Sequence, residues 1–135
     1  MSVERFRERE LRVPADFARM PEIRDFADAA AAAAGFGEDQ RYAIKMAFGE
    51  AAANAIEHGS EEGDSIDLHA YVENDHLVLH VRDYGTFVPR VDPRGDLPER
   101  GRGLAFMNEM MDEIGIEPAR DGTRVRLAKR LPDGG

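Results

Sequence analysis

A chain of 135 residues has room for one domain with its own hydrophobic core, so neither disulfides nor structural metals are required for stability. It contains no cysteine, which excludes disulfides, thiolate zinc sites and cysteine nucleophiles and leads us to expect a cytoplasmic protein. The formal charge of -9 opposes binding to phosphate backbones, and no apolar stretch is long enough for a membrane span, so we expect neither nucleic acid nor membrane as a direct partner.

The first elements along the chain are an edge strand and two helices. Residues 1–13 are interpreted as a charged segment ending in an edge strand at 11–13, which Pro14 stops. Apolar residues at helical spacing predict a first helix over residues 21–34, capped by Gly35. A second helix is predicted from about residue 39 to residue 58, with a buried stripe that includes Phe48.

The remainder of the chain predicts strands, a long loop and one more helix. Alternating apolar residues predict strands at 66–72 and 77–81, joined by a tight turn at Asn74-Asp75. Residues 86–102 have the composition of a long functional loop, and a third helix is predicted over 104–114. The chain then closes in a hairpin, with strands at 116–119 and 123–131 that turn at Asp121-Gly122.

This order of elements predicts an α+β fold. We expect a two-layer sandwich in which three helices cover one face of a mostly antiparallel sheet. The main domain is expected over residues 14–131, followed by a short tail at 132–135.

Polar residues on the second helix form the first candidate site. Glu50, Asn54 and His58 lie on one row that borders the apolar stripe. At the edge of a cleft, the Asn54 amide oxygen can ligate Mg²⁺ and the Glu50 carboxylate can accept a proton. A Glu and an Asn one turn apart are, however, most often solvated surface residues.

Two glycine-containing segments supply further candidates. Asp83 and Gly85 follow a predicted strand, where the carboxylate is either a turn residue or an acceptor for the amino group of adenine. The sequence RGRGL at residues 100–104 leads into the third helix, and amides at a helix N-terminus favour phosphate oxygens. A single Gly-x-Gly is weak evidence and is most often a flexible joint.

In combination and in this order, the three segments resemble the GHKL ATPases, the superfamily that includes gyrase, histidine kinases and MutL. GEAAANAIEHG at 49–59 is similar to the N box, RDYG at 82–85 to the G1 box, and RGRGLAFMNEMMDE at 100–113 to the G2 box. The likeness is strongest to the bacterial anti-sigma factor serine kinases and extends over roughly residues 14–131. It implies the Bergerat ATP-binding fold.

The resemblance also implies roles for particular residues. Glu50 is expected to be the general base, Asn54 the Mg²⁺ ligand and Asp83 the adenine acceptor, with Arg100 or Arg102 near the γ-phosphate. The other residues expected to contact ATP are Gly85, Gly101, Arg102, Gly103, Leu104 and Thr123. The segment Phe17-Ala18-Arg19 is similar to a partner-contacting segment of the family, and Arg19 is the residue expected to bind the partner.

The implied function is a Ser/Thr protein kinase with ATP and Mg²⁺ as cofactors. Such a protein binds a sigma factor and phosphorylates an anti-sigma-factor antagonist, and a homodimer is a further expectation. The alternative is an ATP-binding partner-switch module without kinase activity. A sensor histidine kinase would carry a helix with a phosphoacceptor, for which we expect no room before Leu11, and an ATPase coupled to dimer motion would use additional domains.

The four histidines at 58, 69, 76 and 80 are interpreted as structural residues. Histidine is able to act as a base, a metal ligand or a phosphoacceptor. No pair of these histidines has a recognisable metal-binding spacing, which favours the structural interpretation.

Overall fold

A computed structural model describes residues 6–58, 63–84, 110–119 and 121–132 of the chain. These residues form one five-stranded sheet in which every neighbouring pair is antiparallel, in the order β1-β2-β3-β5-β4. The strands are β1 Arg9–Pro14, β2 Ser65–Glu73, β3 His76–Asp83, β4 Glu113–Ala119 and β5 Gly122–Arg130. The α+β fold expected from the sequence is confirmed.

The hairpin of β2 and β3 has the tight turn predicted from the sequence. Asn74 and Asp75 both have positive φ, at 51° and 62°, which is the backbone of a two-residue type I′ turn. Glu73 therefore lies directly opposite His76, and the pairing continues to Ile66 opposite Asp83. This register places Asp83 at the end of β3, next to the first residues of β5.

Two α-helices are present in the described part of the chain, α1 Met20–Ala33 and α2 Glu38–His58. A short 3-10 turn, Phe17–Arg19, precedes α1, and the Asp16 side chain caps it by accepting a 2.9 Å hydrogen bond from the Ala18 amide. Gly35 ends α1 with φ of 93°, a conformation that glycine adopts without strain. Both predicted helices are thus confirmed, within two residues at each end.

The core lies between these helices and one face of the sheet. Helices α1 and α2 pack against each other, with the rings of Phe26 and Phe48 stacked at 5.9 Å between centroids. Helix α2 also packs against β3, and the inward-facing strand residues such as Leu79 and Leu127 are buried beneath it. The opposite face of the sheet carries the alternate residues of each strand, which are mostly polar.

The third predicted helix requires a correction. Residues 101–109 lie outside the described residues, so most of that prediction stays untested. Its last two residues, Glu113 and Ile114, belong to β4 and pair with Ala128 and Leu127 of β5. The apolar spacing that predicted a helix up to Ile114 is overridden here by strand pairing, which satisfies the backbone groups of β4.

No helix in the described residues is long and apolar enough to cross a membrane.

Candidate functional site

Helix α2 carries Glu50 and Asn54 on its half-buried edge. Residues between them, including Ala51 and Ala52, are buried in the core, whereas Glu50 and Asn54 themselves are partly accessible. The alanines allow α2 to approach the sheet closely, and the two polar residues remain one helical turn apart on the same side. Each can therefore contact a ligand at the margin of the core.

Asp83 is the second element of the site, and it is buried with only 4% of its surface exposed. Its carboxylate oxygen Oδ1 accepts a 3.1 Å hydrogen bond from the backbone amide of Thr123, the second residue of β5. Thr123 is itself buried at 7% exposure. A buried carboxylate needs such hydrogen bonds to offset the loss of water, and this bond also fixes the direction of the side chain.

Gly122 explains how β3 and β5 come so close at this point. A Cβ atom at residue 122 would lie 1.9 Å from the Asp83 carbonyl oxygen, and the φ of 144° is unfavourable for any other residue type. The sequence identified Asp121-Gly122 as a turn, but it gave no sign of this contact with the backbone of Asp83.

The described part of the site suits Mg-ATP in its chemistry. Glu50 and Asn54 on α2 carry a carboxylate and a carboxamide oxygen, which are the hard ligands that Mg²⁺ prefers. A buried, oriented carboxylate at Asp83 is able to accept hydrogen bonds from an exocyclic amine. Helix α2 packs against β3, so the structure brings the elements that carry Glu50, Asn54, Asp83 and Thr123 into one region.

The remaining predicted ATP contacts lie outside the described residues. These are Gly85, Arg100, Gly101, Arg102, Gly103 and Leu104. Arg19 is among the described residues: it is exposed on the turn before α1, where it forms a 3.6 Å ion pair with Glu22.

Tyr84, the residue that follows Asp83, belongs to a cluster of polar side chains on the outer face of the sheet, away from the helices. The Tyr84 hydroxyl donates to the Asp67 carboxylate, and Arg12 binds the same carboxylate at 2.7 Å. The Arg12 guanidinium holds the pKa of Asp67 below its ordinary value, and Asp67 in turn raises the pKa of Tyr84. Tyr84 is thereby fixed immediately before Gly85. The sequence gives no signal for this cluster, because its members come from three separate strands or strand ends.

The chain matches the histidine kinase-like ATPase domain family over residues 13–129. It therefore belongs to that family and to the GHKL superfamily. The structure of the RsbU and RsbW domains of a Mycobacterium tuberculosis protein has the same fold, with a TM-score of 0.67 and 22% identity. That similarity covers 91% of this chain and 32% of the other, so the chain spans about a third of that structure.

The chain is also similar in sequence to anti-sigma F factors. It is 32% identical to the anti-sigma F factor of Clostridium acetobutylicum over 98 residues, which is 65% of this chain and 68% of that protein. It is also 32% identical to the anti-sigma F factor of Bacillus subtilis over 104 residues, or 69% of this chain and 71% of that protein. The resemblance to this group noted in the sequence is confirmed.

Proposed function

We propose that this protein is an anti-sigma factor that binds a sigma factor and phosphorylates an antagonist protein on a serine or threonine hydroxyl. The observation that carries the proposal is the pairing of Glu50 with Asn54 on the accessible edge of α2, in a chain similar to anti-sigma F factors. Binding of ATP alone requires Asn54 and Asp83 but does not require a carboxylate base at residue 50. Phosphoryl transfer to a hydroxyl does require a group that accepts the proton.

In the proposed mechanism, each described residue has one task. Asp83, oriented by the Thr123 amide, accepts a hydrogen bond from the adenine amino group. Asn54 is the proposed ligand for Mg²⁺, which offsets the negative charge of the phosphates when bound. Glu50 accepts the proton of the substrate hydroxyl as the hydroxyl oxygen bonds to the γ-phosphorus and ADP leaves. Arg100 or Arg102 is proposed to stabilise the charge of the transferred group.

Partner contact is assigned to the turn before α1. Phe17 is 51% exposed there, beside the exposed Arg19. An exposed aromatic ring next to an arginine is a combination enriched in protein interfaces. We assign to Arg19 the contact with the sigma factor or the antagonist, so Arg19→Glu should weaken partner capture and leave ATP binding unchanged.

The decisive experiment compares Glu50→Gln with the wild-type protein. Both are incubated with labelled ATP, Mg²⁺ and a candidate antagonist from the same genome, and phosphoserine or phosphothreonine is scored. We expect Glu50→Gln to bind ATP within about threefold of wild type and to lose at least about a hundredfold in transfer rate, the usual weight of a general base. Asp83→Asn serves as the contrasting variant, because it should lose ATP binding itself.

Two results would count against the proposal. Undiminished transfer by Glu50→Gln would reject Glu50 as the base. Intact ATP binding with no transfer by the wild-type protein, to any antagonist that it captures, would favour the partner-switch module without kinase activity.

A further inference from the structure

The outer face of the sheet, away from the helices, carries a group of ligand-type side chains that ATP binding does not use. Glu10 of β1 lies directly opposite His69 of β2 in the strand register. Glu8 precedes the first residue of β1, and its carboxylate reaches the same side by contacting His69. One ligand atom from each of Glu8, Glu10 and His69 lies within 4.8 Å of the other two.

The charges in this group are poorly balanced by protein groups. The Glu8 carboxylate contacts Nε2 of His69, while the Glu10 carboxylate has no hydrogen bond or ion pair with any described residue. The next cation along β1 on this face, Arg12, is bound to Asp67 at 2.7 Å. The two carboxylates lie close together and repel each other, so the arrangement favours a bound cation.

The imidazole of His69 is held in place by its neighbours. Its ring lies 4.9 Å from the Tyr71 ring and 5.8 Å from the buried His80 ring, centroid to centroid. A ring packed in this way loses little freedom when Nε2 binds a ligand. Cross-strand pairing likewise fixes the position of Glu10 relative to His69.

We propose that Glu8, Glu10 and His69 form a binding site for a divalent transition-metal ion of the zinc type. One imidazole nitrogen and two carboxylate oxygens are a ligand set that suits Zn²⁺, and the nitrogen disfavours Mg²⁺ and Ca²⁺. With bonds of about 2.0–2.2 Å, the ligand atoms of a tetrahedral site lie about 3.4 Å apart. The Glu8 carboxylate must therefore move away from its direct contact with His69, and the Glu10 carboxylate must approach, which rotation of the two exposed glutamates allows. The remaining coordination position is left to water.

The bound ion would connect the start of β1 to β2. Among the strands of the described residues, β1 is at the edge of the sheet and has β2 as its one neighbour. Glu8 precedes the first residue of β1, so its coordination extends the attachment of this edge beyond the last backbone pair. Because the ion would bind the folded chain and not the unfolded one, it should raise the melting temperature.

The test is calorimetric titration of untagged protein with ZnCl₂ in a buffer that does not chelate zinc. We expect one ion per chain, with an affinity that falls at least tenfold in His69→Gln and in Glu10→Gln. His76→Gln is the matched histidine control, since His76 is also partly buried and has an acidic neighbour, Glu113, at 3.9 Å. Glu73→Gln, at an exposed position of β2, is the matched acidic control. Both controls should bind zinc like wild type.

The visible absorption of bound Co²⁺ gives a second readout that is specific for coordination. It should be present with wild type and with both controls, and absent with His69→Gln. No zinc binding to the wild-type protein would overturn the proposal, as would unchanged affinity in His69→Gln and Glu10→Gln. A simple ion pair between His69 and Glu8 predicts the first of these results. Mg-ATP binding by all variants should be unaffected, which separates this test from the proposed kinase function.

Discussion

At the scale of single residues, His80 is the most unusual titratable group in the described structure. It is 5% exposed, its Nε2 lies 2.9 Å from the Tyr71 hydroxyl, and its Nδ1 is buried with no hydrogen-bond partner among the described residues. Burial lowers the pKa of His80 to about 4, and the nearby Arg124 and His69 add to the effect. The folded protein therefore keeps this ring neutral at pH 5 to 7.

The lowered pKa of His80 predicts a loss of stability in mild acid. An unfolded histidine takes up a proton near pH 6.5, whereas the folded one does so only near 4, so the unfolded state binds more protons between these values. The contribution of neutral His80 to the free energy of unfolding is fully present above about pH 6.5. It is lost as the pH is lowered towards 4, and the loss is on the order of 2 kcal/mol. His80→Gln, which can keep the bond to Tyr71, should flatten that part of the curve.

The measurement is the free energy of unfolding in urea at several pH values between 4 and 7. His76→Gln is the control, because it also removes a histidine from β3 but keeps the buried His80, so the fall in stability that His80 causes should remain. An equally steep fall in wild type and His80→Gln would show that other groups cause the acid sensitivity.

At the scale of secondary-structure elements, the contact of the β5 start with the β3 end is the most constrained feature of the site. We predict that Gly122→Ala destabilises the protein by about 2–4 kcal/mol, because the new Cβ would meet the Asp83 carbonyl oxygen at 1.9 Å and the φ of 144° is strained for alanine. Relief of the clash must separate β5 from β3, which breaks the bond from Thr123 to Asp83 and weakens ATP binding.

Gly115→Ala in β4 is a matched glycine control for this prediction. The added Cβ there would lie 4.0 Å from Arg126 Cβ, an ordinary contact, so stability and ATP affinity should stay close to wild type. Chemical denaturation and ATP titration measure both effects. Equal stability of the two variants would refute the role assigned to Gly122.

These elements show which parts of the fold the sequence could predict. The β2–β3 hairpin was predictable because the alternation of apolar residues and the Asn74-Asp75 turn are local signals. The end of the third helix at Ile114 was predicted wrongly, since the same apolar spacing suits a helix until pairing with β5 is known. Local sequence patterns do not predict the conformation correctly where pairing with a strand distant in the sequence determines it.

The candidate site divides in the same way. Glu50 and Asn54 were predicted as candidates because their spacing on one helix is visible in the sequence, and Asp83 because it follows a clear strand. No local pattern indicates that His80 is buried on the outer face, because its burial depends on Tyr71 and its other neighbours across the sheet. The juxtaposition of Glu8 with His69 was missed for a similar reason, since sixty-one positions separate the two residues along the chain.

At the scale of the whole molecule, the net charge of -9 acts against the approach of an anionic nucleotide. Mg-ATP is itself negative, so distant charges on the protein slow its association at low salt. Salt screens these charges with a Debye length of about 10 Å at 0.1 M, whereas contacts inside a site are screened much less. The association rate and the affinity of the bound state should therefore respond differently to ionic strength.

We predict that the association rate constant for Mg-ATP rises about two- to threefold between 10 and 150 mM NaCl, as screening reduces the repulsion. Stopped-flow binding of a fluorescent ATP derivative measures this rate, and a fluorescent adenosine without phosphates is the control whose rate should not change. A rate that falls with salt would mean that positive charge close to the phosphates outweighs the field of the whole chain. In that case local arginines, and not the overall charge, would govern how the nucleotide reaches Asp83.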